Sequence, residues 1–265
     1  MSKITRNTPF DYGYNVITTM EDKEENMMMD FGLLRLKSEQ IETDNEQKER
    51  AFLLITGKAK LEWDGNSQVI ERSSFLDESP WVLHVPQGME VKITGIGEDT
   101  EISVTKTVNS ENFTAKLYTP EECASEDRGK GSMKETSTRI VRTVFDYTNA
   151  PYAKLVVGEV IDFPGKWSSY PPHHHPQPEI YFYKLFPENG FGFSMLGDDV
   201  VKVTNNDTVK VPGGLSHPQV SAPGYAMYYI WVIRHLDDEP YITPTFEPEH
   251  LWVTESDAKI WPDKE

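Results

Sequence analysis

The sequence predicts an all-β protein built as two similar barrels in one chain. Three observations carry this. Short segments rich in Val, Ile, Tyr and Phe recur at intervals of about 8–12 residues with turn residues between them, the spacing of sandwiches and barrels. A strand, a Pro-x-Gly turn and a return strand occur twice, as His84-Val-Pro86-Gln-Gly88-Met-Glu-Val91 and as Lys210-Val-Pro212-Gly-Gly214-Leu-Ser-His217. Helical signal is confined to residues 120–125, where Thr119 could cap one short helix.

The first set of strands is predicted over residues 52–57, 59–63, 81–85 and 90–94, with Asp64-Gly65-Asn66 as a hairpin turn between alternating flanks. The second set covers residues 154–161, 179–185, 199–204, 208–211 and 225–233. Between them, residues 121–138 are polar and charged around Arg128-Gly129-Lys130-Gly131, the composition of a connection. A repeat of this size implies two related barrels, divided here as residues 1–127 and 128–265.

The bulk numbers restrict function. A chain of 265 residues, 37% hydrophobic and 11% aromatic, has room for a proper core. With 43 acidic and 26 basic residues the formal net charge is -17, and no dense basic run offers a nucleic-acid face. The apolar runs are strand-sized and fall well short of the roughly 20 residues a membrane helix needs. The polar start of the chain shows no secretion signal, and the single cysteine, Cys123, has no internal partner. A cytoplasmic protein without membrane or nucleic-acid partners is expected.

The chemistry concentrates in the second half, in Tyr170-Pro-Pro-His-His-His-Pro-Gln-Pro-Glu-Ile-Tyr-Phe-Tyr. On an extended strand, residues i and i+2 share a face, so His173 and His175 can enter one interior while His174 points out. Glu179 opens the next strand, placing Glu179, Tyr181 and Tyr183 on one face and Ile180, Phe182 and Lys184 on the other. His217 follows the Pro212-x-Gly214 turn and can return a fourth ligand to the same point. This H-x-H, three residues, E, then P-x-G-x-x-H arrangement matches the two motifs of the cupin superfamily, whose fold is a jelly-roll-like double-stranded β-helix. Three neutral imidazoles and a carboxylate suit a divalent ion such as Zn, Mn, Fe, Ni or Co. The first half has Val91 where the second has His217, and nothing like H-x-H…E precedes it. It is expected to be a degenerate, metal-free barrel, with His84 a structural strand residue.

Over most of its length the sequence resembles the bacterial 5-deoxy-glucuronate isomerases of inositol breakdown, a family of two-cupin proteins. The resemblance is carried in the first half by Arg72-Ser-Ser-Phe-Leu-Asp77, Pro80 and Val85-Pro-Gln-Gly88. In the second half it is carried by Arg128-Gly129, Arg139-Ile-Val-Arg142, Val157-Gly158-Glu159-Val160 and Trp167-Ser-Ser-Tyr-Pro-Pro-His173. It continues through Glu179-Ile-Tyr-Phe-Tyr-Lys184, Gly190-Phe191, Ala222-Pro-Gly-Tyr225, Tyr228-Tyr229 and Glu247-Pro-Glu-His-Leu-Trp252. It implies an aldose–ketose isomerisation of 5-deoxy-glucuronate to 5-dehydro-2-deoxy-gluconate, a small sugar acid as partner, and at the family level a homodimer. Tyr181, Tyr183 and Tyr229 are candidate catalytic groups, each equally readable as core packing. Lys184 and Arg142 are candidate substrate contacts.

Three departures from the family pattern lie near the metal motif. Pro176-Gln-Pro178 is a short link, Ser194-Met195 stands where the family commonly has Gln-Arg, and the turn before His217 is one residue longer. Loss of an arginine matters because a guanidinium is the natural bidentate partner of a sugar-acid carboxylate. Arg139, Arg142, Lys166 and Arg234 are available in its place, and each reads equally as a surface charge. A related uronate ketol-isomerase, a non-catalytic sugar-binding cupin and an Fe(II) oxygenase remain the other readings of the same site.

Overall fold

The computed structural model describes residues 2–6, 9–23 and 25–263. It is almost entirely β, and its residues group into two compact units. One comprises Met1–Asn7, Ser125–Arg142 and Gly158–Glu265; the other comprises Thr8–Ala124 and Thr143–Val157. The division is therefore not one cut near residue 127. The first strand of the chain, Ser2–Ile4, pairs antiparallel with Thr208–Val211, so the N-terminus extends a sheet made by the C-terminal half.

In the C-terminal unit the larger sheet has the order Ser2–Ile4, Thr208–Val211, Glu179–Phe186, Ala226–Arg234, Leu155–Asp162, Arg139–Phe145, Glu126–Arg128. The far ends of its two hairpin strands, residues 143–145 and 155–157, are counted in the other unit. A second sheet runs Trp167–Ser168, Gln219–Ser221, Phe191–Leu196, Asp199–Thr204. Side chains of both sheets meet in one core: Val141, Val160, Tyr181, Tyr183, Val209, Val211, Met227 and Tyr229 from the first, Leu196 and Val203 from the second. Residues of this size stabilise the unit by about 1.5–3 kcal/mol each when fully buried. The strand Glu179–Phe186 is central. Its bonds to Thr208–Val211 on one side and Ala226–Arg234 on the other fix its register, and seven of its eight residues are buried. A one-residue slip would turn Glu179 away from the core face, so this pairing sets the position of the site.

In the other unit the 15-residue strand Glu49–Trp63 serves two sheets. Its first half pairs with Val82–Val85 and Thr100–Thr107, its second half with Asn66–Arg72 and Val91–Gly95. It bends at Gly57, where φ is +100° and a Cβ would meet the Asp99 carbonyl at 2.5 Å. The sequence splits this strand into 52–57 and 59–63, which marks the bend but misses the continuity. The hairpin turn at Asp64-Gly65 has positive φ at both residues, 42° and 75°, the type I′ geometry that the dipeptide favours.

Two expectations are corrected. Residues 120–125 form a single turn rather than a helix: Glu122 N–H bonds the Thr119 carbonyl while the Glu122 carboxylate accepts from Thr119 N–H. The chain is then drawn into the strand Glu126–Arg128, which pairs with Arg139–Val141 and leaves no second helical turn. The segment 121–138, expected to be a plain connection, thus contains a strand and a 3-10 turn at Met133–Glu135.

The two units share more than the Pro-x-Gly turn. Glu179 pairs with Val211, and Arg50 pairs with Val85 at the matching point of the other repeat. Counting back, His173 and His175 lie six and four residues before Glu179, and Asp44 and Glu46 lie six and four before Arg50. The N-terminal unit therefore carries the same spacing with its charges inverted. Lys106, which faces Arg50 across the sheet as Ile233 faces Glu179, places its ammonium 2.5 Å from both Asp44 Oδ2 and Glu46 Oε1. Arg50, fully buried, reaches Asp44 Oδ1 at 2.7 Å and the carbonyls of Pro86 and Met89. Arg50 thus stands at the register position of Glu179, and Lys106 at that of Ile233. His84 is separate from this cluster, in a buried network in which its Nε2 lies 2.8 Å from Glu49 Oε1 and its ring stacks on Phe145. Breaking the charge cluster should cost stability: Asp44→Ala strands Arg50 and Lys106 without their shared carboxylate and is expected to destabilise by about 3 kcal/mol. A shift of the urea unfolding midpoint measures this, and adding Lys106→Met should recover part of the loss.

Candidate metal centre

His173 and His174 form a two-residue strand against Thr245–Phe246, which fixes the approach of the histidine run. His175 ends that run, and Glu179 begins the central strand four residues later. The return of His217 depends on a close contact between two loops. The Gly214 N–H donates to the His175 carbonyl at 2.7 Å, and a Cβ on Gly213 would lie 1.8 Å from the Pro176 carbonyl oxygen. Any side chain at residue 213 would push the two ligand loops apart. Gly214, at φ +88°, then turns the chain back into the interior.

The result is a tight group of donors. His175 Nε2 is 3.1 Å from Glu179 Oε2, and His217 Nε2 is 3.3 Å from the same oxygen. His175, Glu179 and His217 are 3%, 3% and 1% exposed, and their ligand atoms all lie within 4.8 Å of one another. His173 stands beside this group of three, its ring edge-on to His217 with centroids 5.1 Å apart. His174 is not part of the cluster.

The remaining ring nitrogens decide what the cluster can hold. Nδ1 of His173, His175 and His217 lies 3.1, 2.9 and 2.8 Å from the carbonyls of Pro171, Gln177 and Leu215. A carbonyl only accepts, so each Nδ1 carries the proton and each Nε2 presents a lone pair. Burial lowers the pKa of both His173 and His217 from 6.5 to about 4, so at neutral pH neither ring carries a second proton. The lone pair of the neutral His217 ring and a carboxylate oxygen 3.3 Å apart repel, and a cation between them turns the arrangement favourable. The donor set, its burial and its outer hydrogen bonds fit a divalent metal ion.

Deeper in the same interior lie hydroxyl groups. Tyr181 packs 6.0 Å from the His217 ring and 4.9 Å from Tyr229. Tyr229 OH donates to Ser168 Oγ, and Ser168 Oγ donates to Asp162 Oδ2, each at 2.8 Å. Tyr183 OH donates to Gln219 Oε1 at 2.6 Å, and Gln219 Nε2 donates to the carbonyl of His217. Burial pushes the phenols of Tyr181, Tyr183 and Tyr229 above their usual range, so at neutral pH they are donors and not bases. Burial also raises the Asp162 carboxyl well above the ordinary carboxylate range.

The structure brings the three tyrosines to the site but removes two other candidates. Arg142 and Lys184 face the opposite side of the sheet: Arg142 Nη1 lies 2.8 Å from Glu159 Oε1, and Lys184 stands opposite Tyr228, whose hydroxyl donates to Glu159 Oε2. Arg234 is also turned away, bonding the His235 carbonyl. Sequence reasoning missed Asp162, Ser168 and Gln219. The alternation Gly158, Val160, Asp162 held a signal for the first, since a carboxylate there continues an inward apolar row.

A family model described as KduI/IolB family matches residues 4–253. The chain belongs to this family. A 5-deoxy-glucuronate isomerase of Geobacillus kaustophilus is 30% identical over 243 residues, covering 83% of each chain. Among solved structures, an IolB-like protein of Salmonella typhimurium superposes with a TM-score of 0.83 at 25% identity, covering 95% of this chain and 98% of that one. Bacillus subtilis oxalate decarboxylase, a protein with Mn(II) centres, superposes with a TM-score of 0.61 at 13% identity over 93% of this chain and 78% of its own, which shows a shared cupin-like fold. No helix among the described residues is long and apolar enough to cross a membrane.

Acid should weaken this unit. The unfolded chain protonates these imidazoles near the ordinary 6.5, the folded chain only near 4. Between those values the unfolded state binds more protons, so stability is full above the upper value and is lost as pH falls toward the lower one. Thermal unfolding of the chelator-treated protein is expected to show a midpoint that falls through this window. The fall should be shallower in His217→Asn.

Proposed function

We propose that the chain is a metal-dependent aldose–ketose isomerase that converts 5-deoxy-glucuronate to 5-dehydro-2-deoxy-gluconate in inositol breakdown. The observation that carries this reading is the convergence of His175, Glu179 and His217 in a chain whose relatives bear that activity in their names. His175, Glu179, His217 and the adjoining His173 are the residues to hold the ion. A divalent ion bound there supplies Lewis-acid polarisation of a carbonyl and its neighbouring hydroxyl.

The residues around it do the rest. Nδ1 contacts to three backbone carbonyls hold the rings, and those of His175 and His217 turn Nε2 toward Glu179. The buried phenol of Tyr181 stays protonated and offers a hydrogen bond to a sugar oxygen as negative charge develops on it, while Tyr229 commits its proton to Ser168. A hydrogen-bonded chain runs from Tyr229 through Ser168 to the Asp162 carboxyl, whose affinity for a proton burial raises. Isomerisation needs a proton to leave C2 and return at C1.

The test follows 5-deoxy-glucuronate by NMR in D2O with metal-loaded protein. Wild type is expected to form the ketose. His217→Ala should lose it together with bound metal, with affinity for the ion down at least about 100-fold, since even outer-sphere partners are worth 10–100-fold. Well-folded, metal-loaded wild type that leaves this substrate untouched but converts another uronate would move the reading to that acid. Oxygen uptake with bound iron would replace the isomerase reading by an oxygenase.

A further inference from the structure

We propose that Arg139 anchors the carboxylate of the sugar acid inside the C-terminal unit; this rests on the isomerase reading above. Position is the first argument. In the strand Arg139–Phe145, Val141 belongs to the inner core with Tyr181, Tyr183 and Tyr229. Alternation puts Arg139 on that same face and Arg142 on the other.

The guanidinium is held but not neutralised. Its Nη1 donates to the carbonyl and the hydroxyl of Ser137, both at 2.8 Å, and its Nη2 to the carbonyl of Tyr170 at 3.4 Å. All these partners are uncharged, and among the described residues no carboxylate lies within 4.0 Å of it. The contrast with Arg50 and Arg142 is direct: each of those buried guanidinium groups lies within 2.8 Å of a carboxylate oxygen. In a chain with 43 acidic residues, a half-buried arginine without an ion-pair partner stands out, and an anion reaching it would complete the pairing. Burial accordingly lowers the affinity of Arg139 for its proton. Asp162, on the same inner face, has its carboxyl raised by burial and acts on Arg139 only from beyond ion-pair distance.

Its partners tie it to the metal side of the interior. The carbonyl bonded by Arg139 belongs to Tyr170, and the next carbonyl, of Pro171, fixes His173 Nδ1. The charge of Arg139 acts on His173, and Tyr229, Asp162 and Tyr181 act on Arg139 in turn. An open-chain uronate carries its carbonyl at one end and its carboxylate at the other. With the carbonyl end at the histidines, the carboxylate meets a guanidinium that still has an unused Nε–H and spare capacity on Nη2, the fork that binds a carboxylate in bidentate fashion.

The test compares wild type, Arg139→Gln and Arg139→Lys as metal-loaded full chains, on 5-deoxy-glucuronate and on its neutral counterpart 5-deoxy-glucose. Arg139→Gln is expected to raise KM for the acid on the order of 30-fold with little change in kcat, and to leave the neutral sugar unaffected. Arg139→Lys should recover part of the loss as a point charge. Equal losses on both sugars, or a loss confined to kcat, would assign Arg139 a structural role and overturn the anchor. Calorimetry with D-gluconate separates this from failure of the isomerase reading. Wild type that binds gluconate on the order of 30-fold more tightly than Arg139→Gln supports the anchor even without turnover. Equal binding by both, or no binding by wild type, overturns it.

Discussion

The C-terminal unit is organised around a repulsion. Lone pairs on two buried imidazoles converge on one carboxylate oxygen at 3.1 and 3.3 Å, with each ring proton committed elsewhere to a backbone carbonyl. Left alone, such a group would spread apart. The fold prevents this by pinning each donor to a separate rigid element: Glu179 to a strand bonded on both edges, His175 to the end of a short strand, and His217 to a turn bonded to His175 itself. Gly213 is the narrowest point of that design, because the loop of one ligand touches the backbone after the other. The geometry is prepaid, so a cation entering it reorganises little and gains the full interaction.

The N-terminal unit meets the same requirement with protein atoms. At the positions of the histidines it has Asp44 and Glu46, and at the position of the glutamate it has Arg50. Carboxylates brought that close need a cation as much as imidazoles do, and the Lys106 ammonium between them provides one. An internal cation cannot exchange ligands or present open positions to a substrate. The same scaffold thus yields a site suited to chemistry in one unit and a structural ion cluster in the other. What separates them is which side chains stand at the three spaced positions and at the strand opposite.

Much of this was legible in the sequence because period and spacing translate directly into geometry. His173, His175, Glu179 and His217 were found from strand alternation and a Pro-x-Gly turn, and the structure brings three of them into a tight group with the fourth alongside. The strands 199–204 and 208–211 fall where the pattern puts them. The Asp44, Glu46, Arg50 correspondence was invisible as a motif because its chemistry is inverted; only the register of Arg50 with Val85 exposes it. The single turn at residues 120–125 was overread because local capping signals cannot report that the next residues are claimed by a sheet. Arg142 and Arg139, three residues apart, looked equivalent until the faces of their strand were assigned by what each side chain touches.

Charge ties these observations to substrate choice. A chain with net charge -17 repels an anionic sugar at long range, so recognition has to be local and short-ranged. The interior is arranged for that. Burial raises the Asp162 carboxyl, the phenols keep their protons, and His173 and His217 stay neutral. Glu179 is committed to the cation position. Arg139 is left as a guanidinium with uncharged partners only. With the histidine cluster and Arg139 on one inner face, such an interior favours a molecule that carries both a carbonyl oxygen and a carboxylate.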